Sequence, residues 1–331
     1  MNKIEEIKEF IIQYVRQNPV DIVDLLADKF SCSRQSALGY LREFCEQGWI
    51  SNVEGTYVLD LVKELCFDLP ITQTLNADTI WLEKVFPIFQ KMPVNVVALC
   101  QFGFTEILSN AIEFSGGNQV CIQVKIWPDQ VQLIIADDGI GLFESLKQAL
   151  EYEHISHLVL ELLKGKYSTH PEKHAGTGLF YAARLFDWFS VSSKELRLER
   201  KANRFQLFQS EQAIQGTGVI MQTRTRSDRT LVSVFDQYGD GLSAKSLKHT
   251  EVPVFLVKSG TQPLVKPSQA EILLKRLNLF EVIILDFEYI STTSIEFLDE
   301  IFRTFLEENP KVQLIPVNTN KRIQHMIQFF A

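Results

Sequence analysis

No histidine occurs before residue 154 of this 331-residue chain; the six copies stand at 154, 157, 170, 174, 249 and 325. A helical hairpin carrying an acceptor histidine is therefore excluded from the first half. Cysteine is sparse and odd in number, at 32, 45, 66, 100 and 121, without metal-ligand spacing. That excludes a disulfide framework and a zinc ribbon, and it suits core packing in a reducing cytosol. No apolar run approaches the length of a membrane span, and Met1–Glu6 open an amphipathic helix, not a signal peptide. A cytoplasmic protein without membrane contact is expected. Lys and Arg number 33 against 41 Asp and Glu, a net charge of −8, which gives no general affinity for nucleic acid. Repeats, low-complexity tracts and a P-loop are also missing.

What is present is three short segments in the middle of the chain. The first, Glu106-Ile-Leu-Ser-Asn110, lies in an apolar helical pattern (Phe104, Ile107, Leu108, Ala111, Ile112) stopped by Gly116-Gly117. Glu106 and Asn110 are four apart and share a helix face. A carboxylate there can take a proton from an attacking water, and an amide oxygen is a hard ligand for Mg²⁺. On its own the pair reads equally as a solvated polar stripe. The second segment, Asp137-Asp138-Gly139-Ile140-Gly141, follows two alternating strands, 120–126 and 131–136, joined at Pro128-Asp129. Its carboxylate can accept from an exocyclic amine such as adenine N6, and its glycines let backbone approach a ligand. The third, Gly176-Thr177-Gly178-Leu179, opens an apolar helix whose free N–H groups favour phosphate. A tight turn and an ordinary loop are the bland alternatives for these two.

In this order the segments resemble the Bergerat-fold ATPases, the superfamily of gyrase, heat-shock chaperones, histidine kinases and mismatch-repair proteins also called GHKL. The resemblance covers about residues 65–226, with Gly216-Thr217-Gly218 similar to the Gly-Thr that closes this domain. It implies ATP and Mg²⁺ as cofactors, with Asn110 on the metal and Asp137 on adenine. Gly139, Gly141, Gly176, Thr177, Gly178 and Leu179 would shape the base and phosphate pockets, and Thr217 would hold a water between the Asp and adenine. Glu106 stands where the hydrolytic and anti-sigma branches carry their general base, which favours water activation or Ser/Thr phosphorylation. Glu113 departs from the family's common Asp or His, and Asp138 has no assigned role. Residues 142–175 resemble the ATP lid, a long mixed segment in which Lys166, beside Gly165 and followed by Ser168-Thr169, is expected to meet the γ-phosphate.

Residues 1–62 show three short amphipathic helical patterns and then Asn52–Tyr57 as a small hairpin. They resemble a winged helix-turn-helix, which implies Arg34, Gln35 and Arg42 as candidates for base edges or phosphates. Yet residues 1–60 hold six basic against ten acidic side chains, a net of −4. Because DNA affinity rests on phosphate neutralisation, docking to a protein stays equally open.

From 228 to 331, strands (Val254–Val257, Val282–Phe287, Val312–Val317) alternate with helices (Ser268–Asn278, Ser294–Glu308, Lys321–Phe330). Asp286-Phe287 and Phe297-Leu298-Asp299-Glu300-Ile301-Phe302 resemble the uncharacterised STAS-like group. STAS antagonists accept phosphate on a serine; in this register that position is Ile295, and Ser291–Ser294 read as a helix start.

The expectation is an α+β multidomain chain: a winged helix over 1–62, a Bergerat sandwich over 63–227 with a mixed sheet and helices on one face, and a STAS-like α/β domain over 228–331. Residues 227–250 are the expected junction. The implied activity is a nucleotide-driven switch with weak ATPase turnover. An anti-sigma-type Ser/Thr kinase, or a transcription regulator using ATP only as an allosteric ligand, are the alternatives. Implied partners are ATP, DNA or a regulatory protein at 1–62, and in principle a second copy of the chain.

Overall fold

The computed structural model describes all residues except 1–2, 18–20, 151, 153, 169–174, 242, 259–261 and 331, and the side chains of 211–212. Helix α1 (Lys3–Arg16) buries Ile7, Ile11 and Val15 at helical spacing, with Glu5 and Glu6 in its first turn and Arg16 in its last, matching the helix dipole. Helix α2 (Ile22–Phe30) follows. Helix α3 (Arg34–Glu46) starts where the Ser33 hydroxyl accepts from Ser36 N–H. Strands β1 (Ile50–Val53) and β2 (Thr56–Leu59) form a two-residue hairpin through Glu54 and Gly55, both at positive φ. These elements close over their own small core around Leu26, Leu41 and Phe44.

Next come β3 (Lys63–Pro70), α4 (Ala77–Ile80), the long α5 (Val94–Phe114), β4 (Gln119–Ile126), β5 (Gln130–Asp137), α6 (Leu142–Ala149), α7 (Ile155–Lys164) and α8 (Gly178–Leu185). A long hairpin, β6 (Trp188–Lys201) and β7 (Arg204–Arg224), turns at Ala202-Asn203. The five-stranded sheet runs β3-β4-β5-β7-β6 with every pairing antiparallel. Strand β4 alternates buried Val120, Ile122 and Val124 with half-buried Cys121, Gln123 and Lys125, so one face of the sheet joins the core, where α5 lies against β5 and β7, and the other is partly exposed.

The last part holds α9 (Leu231–Tyr238), β8 (His249–Pro253), α10 (Pro267–Leu274), β9 (Val282–Asp286), α11 (Ile295–Asp299), which runs on into α12 (Phe305–Glu308), then β10 (Gln313–Val317) and α13 (Lys321–Ile327). Its sheet, β10-β9-β8, is parallel throughout. The chain is thus α+β and combines antiparallel with parallel pairing, but the expected mixed sheet over 63–227 is wholly antiparallel, and the parallel pairing lies in the C-terminal sheet.

One further expectation is corrected, and two segments carry more structure than their patterns gave. Val254–Val257 is a tight helical turn, and the strand is the segment before it, ended by Pro253; a short apolar run does not by itself distinguish the two. Residues 227–250 are not a bare junction. Within them α9 packs Phe235 against Phe102 and Tyr181, and Tyr238 against Phe180, so the middle and C-terminal parts share one continuous core. The expected lid contains α6 and α7, and α7 is buried from His157 through Lys164. Thr169, His170, Lys173 and His174 lie outside the described residues.

Candidate functional site

Helix α5 and strands β5 and β7 carry the three polar positions that meet at one cavity: Asn110, Asp137 and Thr217. Gly141, Gly176, Gly178 and Leu179 complete its rim. Seven of the residues singled out in the sequence therefore come together from four separate stretches. The cavity measures about 160 Å³. That is close to the ~150 Å³ that takes one benzene ring, so it suits a ring system and not a whole triphosphate. Its floor is apolar, from Ile107, Ala111, Ile135, Leu146, Val191 and Val219. The sequence did not flag these residues as pocket, because their periodicity matches that of core residues. Val191 and Val219 face each other across paired strands, a juxtaposition that only the β6–β7 register creates.

Asp137 ends β5 and is 8% exposed. Its Oδ1 accepts from Gly139 N–H at 2.9 Å and Thr217 N–H at 3.2 Å. Burial still pushes the carboxyl above its usual range, against the pull of those two donors. Thr217 Oγ1 is held by Leu142 N–H at 2.9 Å, which ties the start of α6 to β7. Asp138 has a purely structural place. Its carboxylate accepts from Asn118 and Gln119 N–H at 2.7 and 2.9 Å, clamping the turn between α5 and β4, and those donors lower its pKa.

Glu106 sits one turn before Asn110, and its carboxylate lies against Gly178: a Cβ there would fall 1.9 Å from Glu106 Oε2. Glycine at 178 is thus what lets the third segment approach the first. Gly139 is not on the cavity wall; it packs on the end of α5, where a Cβ would meet Ser115 O at 2.1 Å. Thr177 is buried at the start of α8, where its carbonyl accepts from Tyr181 N–H.

Lys166 departs from expectation. Its ammonium donates to Leu279 O at 2.6 Å and lies over the Phe280 ring, turned to the C-terminal part and not into the cavity. Tyr167 and Ser168, which follow it, do line the cavity. Lys164 and His157, in the same stretch, are buried. In the N-terminal part Arg34 pairs with Asp24, whereas Gln35 and Arg42 are exposed along α3. The N-terminal part meets the sheet through Arg16–Asp129 and through Arg226 with Glu5 and Glu9.

Mg²⁺ can be tested against this donor set. Among the described residues, no group of three His, Cys, Asp or Glu could hold a metal alone. One hard amide oxygen, Asn110, lines the cavity, and Mg²⁺ is commonly bound by one or two protein oxygens together with substrate phosphates. The residues fit an ion that arrives with a triphosphate.

At the other end, the Ser294 hydroxyl accepts from Phe297 N–H at 3.2 Å and donates to Val265 O at 2.9 Å, so it caps α11. Phe297, Leu298, Ile301 and Phe302 of the C-terminal motif are buried core, and Asp299 pairs with Arg303. Among the described residues no helix is long and apolar enough to cross a membrane. No curated protein matches the chain. Residues 269–324 match the STAS-like domain of unknown function (DUF4325), so α10 through most of α13 form a STAS-like unit, with β8 and α9 lying ahead of the match.

Proposed function

We propose that the chain is an ATP·Mg²⁺-dependent regulatory switch, in which a Bergerat-type domain couples nucleotide state to a winged-helix module and to the STAS-like unit. The observation that carries this reading is the convergence of Asp137, Asn110, Thr217 and the Gly176–Leu179 turn on one apolar-floored cavity. Asp137 accepts the adenine N6 amine, with Oδ1 already held by Gly139 and Thr217 and Oδ2 left for the base. The floor of aliphatic side chains covers the ring faces. The Gly178 end of α8 presents N–H groups to the phosphates. When bound, Mg²⁺ neutralises phosphate charge, and Asn110 is the side chain that would hold it. Glu106, close by on the same face of α5, takes a proton from the attacking water.

The N-terminal part supports a separate binding role: it has its own core and keeps Gln35 and Arg42 of α3 exposed while α1 faces the sheet. Titration calorimetry with ATP, with and without Mg²⁺, tests the reading, followed by a phosphate-release assay. Binding that needs Asp137 supports it, and absence of binding removes it. Binding without turnover would leave ATP as an allosteric ligand, and transfer of labelled phosphate to protein instead of water would make the chain a kinase.

A further inference from the structure

The ends of two helices from different parts of the chain are tied together by cations. Helix α7 ends at Lys164, whose ammonium reaches the C-terminal end of α10, donating to Lys275 O at 2.7 Å and Ile272 O at 3.3 Å. In return Arg276, just past α10, donates to the two carbonyls that follow α7: Gly165 O at 3.0 Å and Lys166 O at 2.6 Å. Cations at helix C-termini satisfy orphan carbonyls and oppose the dipole. Between the two cations lies Glu161, 2.5 Å from Lys164 Nζ and 2.8 Å from Arg276 Nη1. Glu161 is 1% and Lys164 0% exposed, so this is a desolvated network in which loss of one member leaves a charge buried without its partner.

The network touches the cavity from behind. Lys166 O, which Arg276 holds, belongs to the peptide that leads into Tyr167 and Ser168 of the cavity wall. The guanidinium also lies 5.5 Å from the Tyr167 ring centre. Gly176, on the far side of the segment, packs so closely on Tyr167 that a Cβ would meet Tyr167 O at 2.3 Å. Tyr167 is therefore held between Gly176 on one side and the peptide that Arg276 bonds on the other.

We infer that Arg276, supplied by the STAS-like unit, is a positioning residue for the nucleotide site: it sets the Tyr167–Ser168 wall, so displacement of the STAS-like unit changes nucleotide affinity. This rests on the cavity being a nucleotide site. Arg276 touches no ligand, and its action passes through the Gly165 and Lys166 carbonyls. Nη1 serves Glu161 while Nη2 serves both carbonyls, and a lysine at 276 keeps the charge but has no second nitrogen to hold both sides of that fork.

The test compares Arg276→Ala and Arg276→Lys with the wild-type full chain by calorimetry with ATP and Mg²⁺, well below the melting temperature, and by hydrogen exchange without nucleotide. Arg276→Ala is expected to weaken ATP about tenfold, within the usual range of coupling between sites, and to speed exchange selectively over 164–168. Arg276→Lys is expected to fall between. Unchanged affinity with exchange raised evenly along α7 overturns the inference, since that is what loss of packing alone would do. If Arg276→Ala does not fold, the lysine variant decides by the same two readings. If wild type binds no ATP, the proposed function falls, while selective exchange over 164–168 still decides whether Arg276 holds the wall.

Discussion

Asp137→Asn separates binding from folding. The substitution keeps shape and one acceptor but removes the charge and places an NH₂ where a second oxygen stood. In the proposed reading that oxygen accepts the adenine amine, so a charge-assisted bond is replaced by a donor facing a donor. Hydrogen bonds to charged groups contribute about 1.5–3 kcal/mol, which converts to roughly 10- to 150-fold in affinity. Stability should move the other way. Burial raises the Asp137 pKa, so between its unfolded and folded values the native chain holds more proton and stability falls as pH rises through that window. At neutral pH the ionised carboxylate is therefore a standing strain on the fold, and asparagine relieves it. Calorimetry with ATP and a thermal melt on the same sample should show affinity lost and melting temperature held or raised. The same shift predicts that wild-type affinity declines on acidification at a higher pH than an exposed aspartate would give. An Asn variant that binds like wild type refutes the role of Asp137, and one that melts well below wild type refutes the argument from burial.

Glu106→Ala should keep ATP binding and lose ~10²–10⁴-fold of any phosphate release, the usual contribution of a general base; unchanged release means Glu106 is not the base. Gly178→Ala should lose turnover as well, since the new methyl would displace the Glu106 carboxylate that lies 1.9 Å from its position. Gly103→Ala, outside the cavity lining, should destabilise by about 1–3 kcal/mol in urea denaturation, because its Cβ would lie 2.4 Å from the Phe186 ring and 2.9 Å from Met221 Sδ. Residues 1–62 alone should melt as one cooperative unit, given their separate core. DNA binding there would appear as a salt-sensitive gel shift abolished by Gln35→Ala with Arg42→Ala, and no shift at low salt leaves protein docking as the role of α3.

Local chemistry made much of the molecule legible in the sequence. Alternation over 120–126 and 131–136 with a Pro-Asp turn predicted β4 and β5 to within a residue or so, because a sheet with one buried face imposes a period of two. The helical spacing of Glu106 and Asn110 put both on one side of α5, and the glycines at 141 and 176, both at positive φ, mark turns that few other residues tolerate. The C-terminal Asp-Phe strand and Phe-rich helix were legible for the same reason: their pattern is the core itself.

What the sequence could not reveal was which surfaces meet. Nothing along the chain marks His157, Glu161 and Lys164 as buried, and only the approach of the 254–257 turn, β8 and the end of α10 encloses them and gives them partners. Lys166 looked like a phosphate ligand because its neighbours suited one, yet Leu279 and Phe280, more than a hundred residues away, turn it aside. Residue type and spacing fix what a segment can do over a few ångströms of its own backbone. The direction in which a charged side chain points, and whether it ends in water or in a buried network, is settled by the long-range packing that decides what stands opposite.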